Sequence, residues 1–111
     1  MKDYYNLFVQ LSLEQCLKDD YTDKAKVRAH NGAMDKMIKL QEEMSQIDCS
    51  DLLCTLLSHQ DDRVKVNASS MCLKYNICVD VAVATLKNVM EFSDDGTLSF
   101  AAEMLLQKWN E

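Results

Sequence analysis

The sequence predicts an all-α fold, and three features carry the prediction. The 111 residues contain no proline and only two glycines, so the chain suits long helices with short connections rather than the many turns of a β-sandwich. Apolar residues recur at three- and four-residue spacing in most segments, as on one face of a helix. The proportions, 48% hydrophobic and 27% charged residues, are those of an ordinary globular protein. A chain of this length supports one modest core, so residues 1–111 are predicted to form a single domain.

Two helices are predicted for the N-terminal part of the chain, over about residues 3–18 and about residues 22–46. The apolar positions of the first helix are Tyr4, Leu7, Phe8, Leu11 and Cys16. The stripe of the second helix contains Val27, His30, Met34, Met37, Gln41 and Met44. Asn31 and Gly32 form a usual turn signal, yet the spacing passes through them without a change of phase. We therefore predict one long helix that can kink there, with two helices and a break at Asn31 as the alternative.

Two further helices are predicted between Ser50 and Asn76. Ser50 has the chemistry of an N-cap and precedes a short helix. The apolar residues of this helix are Leu52, Leu53, Leu56 and Leu57. Asp61 or Asp62 is predicted to cap the following helix, which ends near Asn76. The apolar stripe of that helix is Val64, Ala68, Met71, Cys72 and Tyr75.

The C-terminal part of the chain is predicted to hold two more helices. The segment 78–90 has helical spacing, although its alternating valines also permit a strand. A helix is predicted because nothing else in the chain could pair with such a strand. A loop at 93–96 follows, and the last helix starts at about Thr97.

An internal repeat relates two of these helices. The sequence from Asp62, D-R-V-K-V-N-A-S-S-M-C-L-K-Y, aligns without gaps with the sequence from Gly96, G-T-L-S-F-A-A-E-M-L-L-Q-K-W, at an offset of 34 residues. The matched pairs are Val64 with Leu98, Val66 with Phe100, Ala68 with Ala102, Met71 with Leu105, Lys74 with Lys108, and Tyr75 with Trp109. This period is that of helical-repeat proteins, in which stacked hairpins supply each other's core. The first two helices are then expected to act as a capping layer. The alternative is a chance likeness between two amphipathic helices.

The segment Leu56 to Ala68, L-L-S-H-Q-D-D-R-V-K-V-N-A, resembles the turn and second helix of HEAT and armadillo repeats. With the middle helix H-N-G-A-M-D-K-M-I-K-L and a closing helix that ends in Trp109, the chain is similar, from about Tyr21 onward, to a small bacterial family of HEAT-like proteins described only as a domain of unknown function. Lys65 stands where the HEAT pattern favours arginine. The resemblance implies a small HEAT/armadillo-like α-solenoid of about six helices without catalytic residues. Such proteins resemble the immunity proteins of contact-dependent growth inhibition and related polymorphic toxin systems.

The five cysteines do not predict a disulfide framework or a metal site. They are odd in number and include no CxxC pair, so reduced, mostly buried thiols are expected. His59 neighbours Asp61 and Asp62, but no third and fourth ligand lies at a matched spacing. Cys49 or Cys54 would be a nucleophile only if His59 approached it, and no glycine-rich oxyanion loop accompanies them. We predict no enzyme and no cofactor.

The charge and the apolar pattern narrow the class of partner. A net charge of −6 disfavours direct binding to nucleic acid and favours encounter with a basic protein. The apolar stretches are shorter than the roughly 18–20 residues of a membrane span. The N-terminal residues also lack the pattern of a signal peptide. We expect a cytoplasmic protein that does not contact a membrane.

Acidic residues gather at the predicted turns, and helix N-termini explain part of this distribution. The pairs Asp61–Asp62 and Asp94–Asp95 fall at equivalent turns of the repeat, so a stacked solenoid would place them on one edge. The predicted partner-binding residues are Asp19, Asp20, Asp61, Asp62, Glu91, Asp94 and Asp95. The function that we predict is that of an immunity protein, which covers the active site of a basic nuclease toxin. The alternative is a non-catalytic adaptor that binds a host protein.

Overall fold

The computed structural model describes residues 3–14 and 24–109, with the backbone alone at residues 14, 24–31 and 33. Over these residues the fold is all-α, as predicted, and it contains no strand. The helices are α1 (Tyr4–Glu14), α2 (Lys24–Ser45), α3 (Ser50–Leu57), α4 (Asp62–Tyr75), α5 (Val79–Phe92) and α6 (Gly96–Trp109). The choice of helix over strand for the segment 78–90 is therefore correct. Cys16, Asp19 and Asp20 lie outside the described residues, and so do the side chains of Val27 and His30.

The chain divides into two compact units, Met1–Asp48 and Cys49–Glu111. The α-solenoid and the single domain over residues 1–111 stay predictions.

In the first unit α1 packs against α2. Phe8 and Leu11 of α1 are buried, and so are Met37, Leu40 and Met44 of α2. The prediction that Met34 shares the buried face is wrong, because its side chain is 43% exposed. On an ideal helix Met34 lies about 80° from the centre of the buried stripe, at its edge.

The helix α2 runs unbroken from Lys24 to Ser45, through Asn31 and Gly32. The prediction of one long helix is confirmed, and the break at Asn31 is excluded. A Cβ atom built on Gly32 would have no heavy atom within 4 Å. Gly32 is therefore not required for a neighbouring element to approach the helix closely. It lowers the stability of the helix because its backbone has more conformational freedom in the unfolded chain.

We expect Gly32→Ala to raise the free energy of unfolding by about 0.5–1 kcal/mol, since alanine is the better helix former and meets no neighbour here. Urea unfolding followed by circular dichroism measures the change. Gly96→Ala is the comparison, because Gly96 also has open space around it but stands at the first position of its helix. A Gly32→Ala variant less stable than the wild type would contradict the prediction.

The second unit consists of two helical hairpins, α3–α4 and α5–α6. The helix α4 packs on α3, α5 and α6, and α3 also packs on α5. Equivalent helices of the two hairpins therefore lie against each other, α3 on α5 and α4 on α6. Their shared core contains Val66 of α4, Leu86 and Val89 of α5, and Ala102 and Leu106 of α6.

The helix bounds reproduce the internal repeat. The helices α4 and α6 each have 14 residues, and both ends differ by the same 34 positions. Ala68 and Ala102, which the alignment pairs, are both fully buried. Val66 is 7% exposed and its counterpart Phe100 is 61% exposed. The difference follows from position, because α6 covers Val66 whereas no described residue covers Phe100 to a similar extent.

Polar residues end the helices of this unit much as predicted. Asp61 is the N-cap of α4, and Asn76 ends that helix in the left-handed region, with φ 59°. The prediction that Ser50 is the N-cap of α3 is wrong. Ser50 is the first helical residue, and Cys49 occupies the N-cap position without a side-chain hydrogen bond. This shift of one residue is within the usual uncertainty of a helix end.

We expect Asp61→Ala to lower the free energy of unfolding by about 1–2 kcal/mol through the loss of the cap. Asp61→Asn should lose less, because asparagine caps as well as aspartate and forfeits only the ion pair with Arg63. The advantage of the wild type over Asp61→Asn should exist above about pH 4 and vanish as the pH falls, because the pKa of Asp61 is lowered in the folded protein. Urea unfolding between pH 3 and 7 measures both effects.

Equal stability of the Asp61→Ala and Asp61→Asn variants would contradict the capping role.

Candidate functional site

The turn before α4 holds the first pair of acidic residues, and Arg63 neutralises one of them. The Asp61 carboxylate accepts hydrogen bonds from the Arg63 backbone N–H at 2.9 Å, from its Nε at 3.0 Å and from its Nη2 at 2.8 Å. The backbone N–H of Asp61 donates to His59 Nδ1 at 3.0 Å. The hydrogen bonds from Arg63 hold the pKa of Asp61 below its usual value. Both carboxylate oxygens of Asp61 therefore already accept hydrogen bonds from Arg63 within the turn.

The neighbouring Asp62 carboxylate lies 3.8 Å from Lys65 Nζ, one turn along α4. This pair is partly exposed, and it reduces the charge that Asp62 presents to a partner. Asp61 and Asp62, both predicted partner-binding residues, thus carry cations of their own helix beside them.

In the turn before α6 an aspartate also caps the following helix, but no arginine or lysine stands at the positions equivalent to Arg63 and Lys65. Asp95 Oδ1 accepts hydrogen bonds from the backbone N–H groups of Thr97 at 2.9 Å and of Leu98 at 3.4 Å. The counterparts of Arg63 and Lys65, 34 residues on, are Thr97 and Ser99. Glu91, Asp94 and Asp95 are exposed, and within the described residues none of the three forms a salt bridge. Three carboxylates in five residues therefore have no salt-bridge partner among the described residues.

The hairpin that carries these carboxylates also exposes large apolar side chains. Phe92, the last residue of α5, is 71% exposed, while Phe100 and Met104 of α6 are 61% and 48% exposed. Phe100 and Met104 are four residues apart and so share one face of α6. We call the set Glu91, Phe92, Asp94, Asp95, Phe100 and Met104 the acidic–aromatic surface.

The backbone beneath this surface is held in place. The Ser99 hydroxyl donates a hydrogen bond to the Met90 carbonyl oxygen at 2.7 Å and ties the start of α6 to the end of α5. The Ser93 hydroxyl accepts a hydrogen bond from the Asp95 backbone N–H at 3.2 Å. Below the turn, Leu86, Val89 and Ala102 belong to the shared core of the unit. The exposed groups therefore stand on a rigid hairpin.

Sequence reasoning found the acidic half of this surface and missed the aromatic half. Glu91, Asp94 and Asp95 were predicted, whereas Asp19 and Asp20 lie outside the described residues. The alignment pairs Phe100 with Val66 but makes no prediction about the exposure of Phe100. The signal that identifies it is its place in the last helix of the repeat, where no following helix is available in the described chain to cover it.

Two of the described thiols are in contact with each other. The Cys54 sulfur is in contact with the Cys78 sulfur at 2.9 Å, while His59 Nδ1 accepts the Asp61 backbone N–H. Burial raises the pKa of the Cys72 thiol to about 12. The hydrogen bond with Cys54 is the largest cause that raises the pKa of Cys78 to about 11. Both thiols are therefore protonated at neutral pH.

We expect alkylation of Cys78 by iodoacetamide to be slow at pH 7.5 and to accelerate about tenfold per pH unit toward pH 11, because the thiolate is the reactive form. Cys72 should remain unmodified in the folded chain over the same range, since it is buried and its pKa is about 12. Peptide mapping by mass spectrometry measures both rates, with circular dichroism at each pH to confirm folding. A rate for Cys78 that levels off near pH 8.5 would contradict the raised pKa.

Neither family models, nor curated proteins, nor solved structures gave a match to this chain. The likeness to HEAT-like proteins and to immunity proteins stays a prediction from the sequence. None of the helices in residues 3–14 and 24–109 combines the length and the apolar character needed to cross a bilayer. In the same part of the chain, no three His, Cys, Asp or Glu residues are grouped so that they could hold a metal ion.

Proposed function

We propose that this chain is a bacterial immunity protein, which binds a cognate toxin domain and neutralises it by covering the active site. The toxin domain is basic and of the nuclease class. The acidic–aromatic surface at the α5–α6 turn is the observation that carries the proposal. The sequence resemblance to immunity proteins and the net charge of −6 support it.

The carboxylates of the surface supply the electrostatic part of recognition. A nuclease must present lysine and arginine side chains to hold the phosphates of its substrate. Glu91, Asp94 and Asp95 are exposed and have no cation bound to them within the described residues. Such carboxylates can occupy the phosphate positions, steer the encounter and exclude the nucleic acid.

The aromatic residues supply the binding free energy that slows dissociation, which exposed charges alone do not provide. Exposed carboxylates raise the association rate more than they slow dissociation. Interfaces owe most of their binding free energy to a few large side chains that become buried, with aromatic residues prominent among them. Phe92 and Phe100, 71% and 61% exposed, are available for this role, with the carboxylates as a polar rim.

The hairpin also limits the entropy that binding costs. The Asp95 cap and the Ser99–Met90 hydrogen bond hold the turn before any partner arrives. A preorganised surface loses less conformational freedom on association and therefore binds more tightly. The inhibition is stoichiometric, and it takes place in the cytoplasm where an incoming nuclease would act.

One observation favours a second function, that of an adaptor for a host protein. Phe100 stands at the repeat position that in α4 is Val66, and α6 packs over Val66. A helical layer of a host protein would bury Phe100 in the same way. In this case the partner is a helical protein rather than a basic nuclease.

Affinity capture of the tagged chain from its own host at moderate salt, with mass spectrometry of the bound fraction, separates these functions. The proposal predicts one dominant basic protein, the C-terminal part of a large secreted toxin, whose nuclease activity stops at one equivalent of this chain. Capture of a cellular protein without toxin activity would favour the adaptor.

With the toxin domain in hand, we expect Glu91→Gln/Asp94→Asn to slow association about 5- to 10-fold at low salt, with a smaller effect at high salt. Phe92→Ser/Phe100→Ser should instead speed dissociation more than tenfold. Stopped-flow or surface-based kinetics measures both rates. The matched control is Asp35→Asn/Glu42→Gln, which removes two exposed carboxylates from α2. A control that slows association as much as the test variant would show that net charge alone acts, and would contradict a site at the α5–α6 turn.

A further inference from the structure

Two cysteines distant in sequence meet in the second unit. Cys54 lies in α3, and Cys78 occupies the N-cap position of α5. Their sulfur atoms are 2.9 Å apart across a separation of 24 residues. The Cys78 sulfur also faces the Ser50 carbonyl oxygen at 3.9 Å, so its side chain is directed onto α3. Both residues are partly exposed, whereas Cys49 and Cys72 are buried.

The connection between α4 and α5 brings Cys78 to this position. Asn76 and Cys78 both have positive φ, 59° and 48°, and the Ile77 backbone N–H donates to the Cys72 carbonyl oxygen at 2.9 Å. The chain thus reverses within three residues and returns toward α3. Glycine or asparagine would adopt the backbone of Cys78 at lower cost. What cysteine adds at this position is the contact with Cys54.

We propose that Cys54 and Cys78 form a reversible disulfide under oxidising conditions, and that this bond locks the hairpin α3–α4 to the hairpin α5–α6. The pair is a redox-sensitive modification site, in addition to the proposed binding function. Its co-reactant is a low-molecular-weight disulfide of the glutathione class.

The reaction takes place in two exchange steps. The Cys54 thiolate attacks one sulfur of the oxidant, a Cys54–oxidant disulfide forms, and the other half of the oxidant leaves as a thiolate that takes up a proton. Cys78 then loses its proton to solvent and attacks the Cys54 sulfur, and the second half of the oxidant leaves in the same way. In total, two protein thiols are oxidised, and one disulfide is reduced to two thiols.

The bond would enclose all of α4, since Asp62–Tyr75 lies between the two cysteines. Closing this loop removes conformations from the unfolded chain and so stabilises the folded one. The contact between α3 and α5 becomes covalent, and the two hairpins can no longer separate without reduction. The acidic–aromatic surface stands on the second of these hairpins.

The test uses the full chain, incubated with oxidised glutathione at pH 8 and compared with the reduced chain. Peptide mapping without reductant should find one bond, between Cys54 and Cys78, with the loss of two hydrogen atoms and of two alkylatable thiols. The melting temperature should rise by about 5–15 °C and return after dithiothreitol. An oxidised chain with the pair still as thiols, with another pairing, or with an unchanged melting temperature would overturn the proposal.

Three variants make the test specific. Cys78→Ser should retain glutathione on Cys54, because the second thiol is missing, and should show no such rise in melting temperature. Cys78→Gly fits the positive φ of this residue, and it should fold and also fail to form the bond, which guards against a misfolded serine variant. Cys16→Ser is the matched control, since it removes a cysteine outside the pair and should oxidise as the wild type does. Loss of the bond in Cys16→Ser, or its persistence in either Cys78 variant, would refute the assignment.

Discussion

The burial of α4 between three other helices is the constraint on which the unit 49–111 depends. Val64, Ala68 and Met71 of this helix are fully buried, and α3, α5 and α6 all pack on it. A single hairpin cannot bury its apolar face, so each of the two hairpins is stable because the other covers it.

The same repeat produces two turns with one backbone role and different electrostatics. Asp61 and Asp95 cap equivalent helices with equivalent hydrogen bonds. Arg63 and Lys65 then neutralise the first turn, whereas Thr97 and Ser99 leave the charge of the second turn in place. An aspartate can cap a helix whether or not its charge is neutralised. The neighbouring residues determine how much of that charge remains for a partner.

The acidic–aromatic surface and the thiol pair are both consequences of how the hairpins stack. Phe100 and Met104 of this surface lie on α6, the last helix of the repeat, and both are exposed. The thiol pair lies where α3 meets α5, one of the contacts between helices of the two hairpins. The proposed disulfide would join the hairpin that carries the proposed binding surface to the hairpin α3–α4.

The helices of the described residues, a cap at Asp61 or Asp62, the end of α4 near Asn76 and the offset of 34 residues between α4 and α6 could all be predicted from the sequence. These features depend on residues within a few positions of one another, and local periodicity and capping chemistry are sufficient to predict them. Three features required the folded structure: Val66 is covered while Phe100 is exposed, Arg63 donates hydrogen bonds to the Asp61 carboxylate, and the Cys54 sulfur contacts the Cys78 sulfur. The reason is that periodicity identifies the apolar face of a helix but not whether another helix covers that face. Contacts between residues far apart in sequence are settled by the packing of one helix on another.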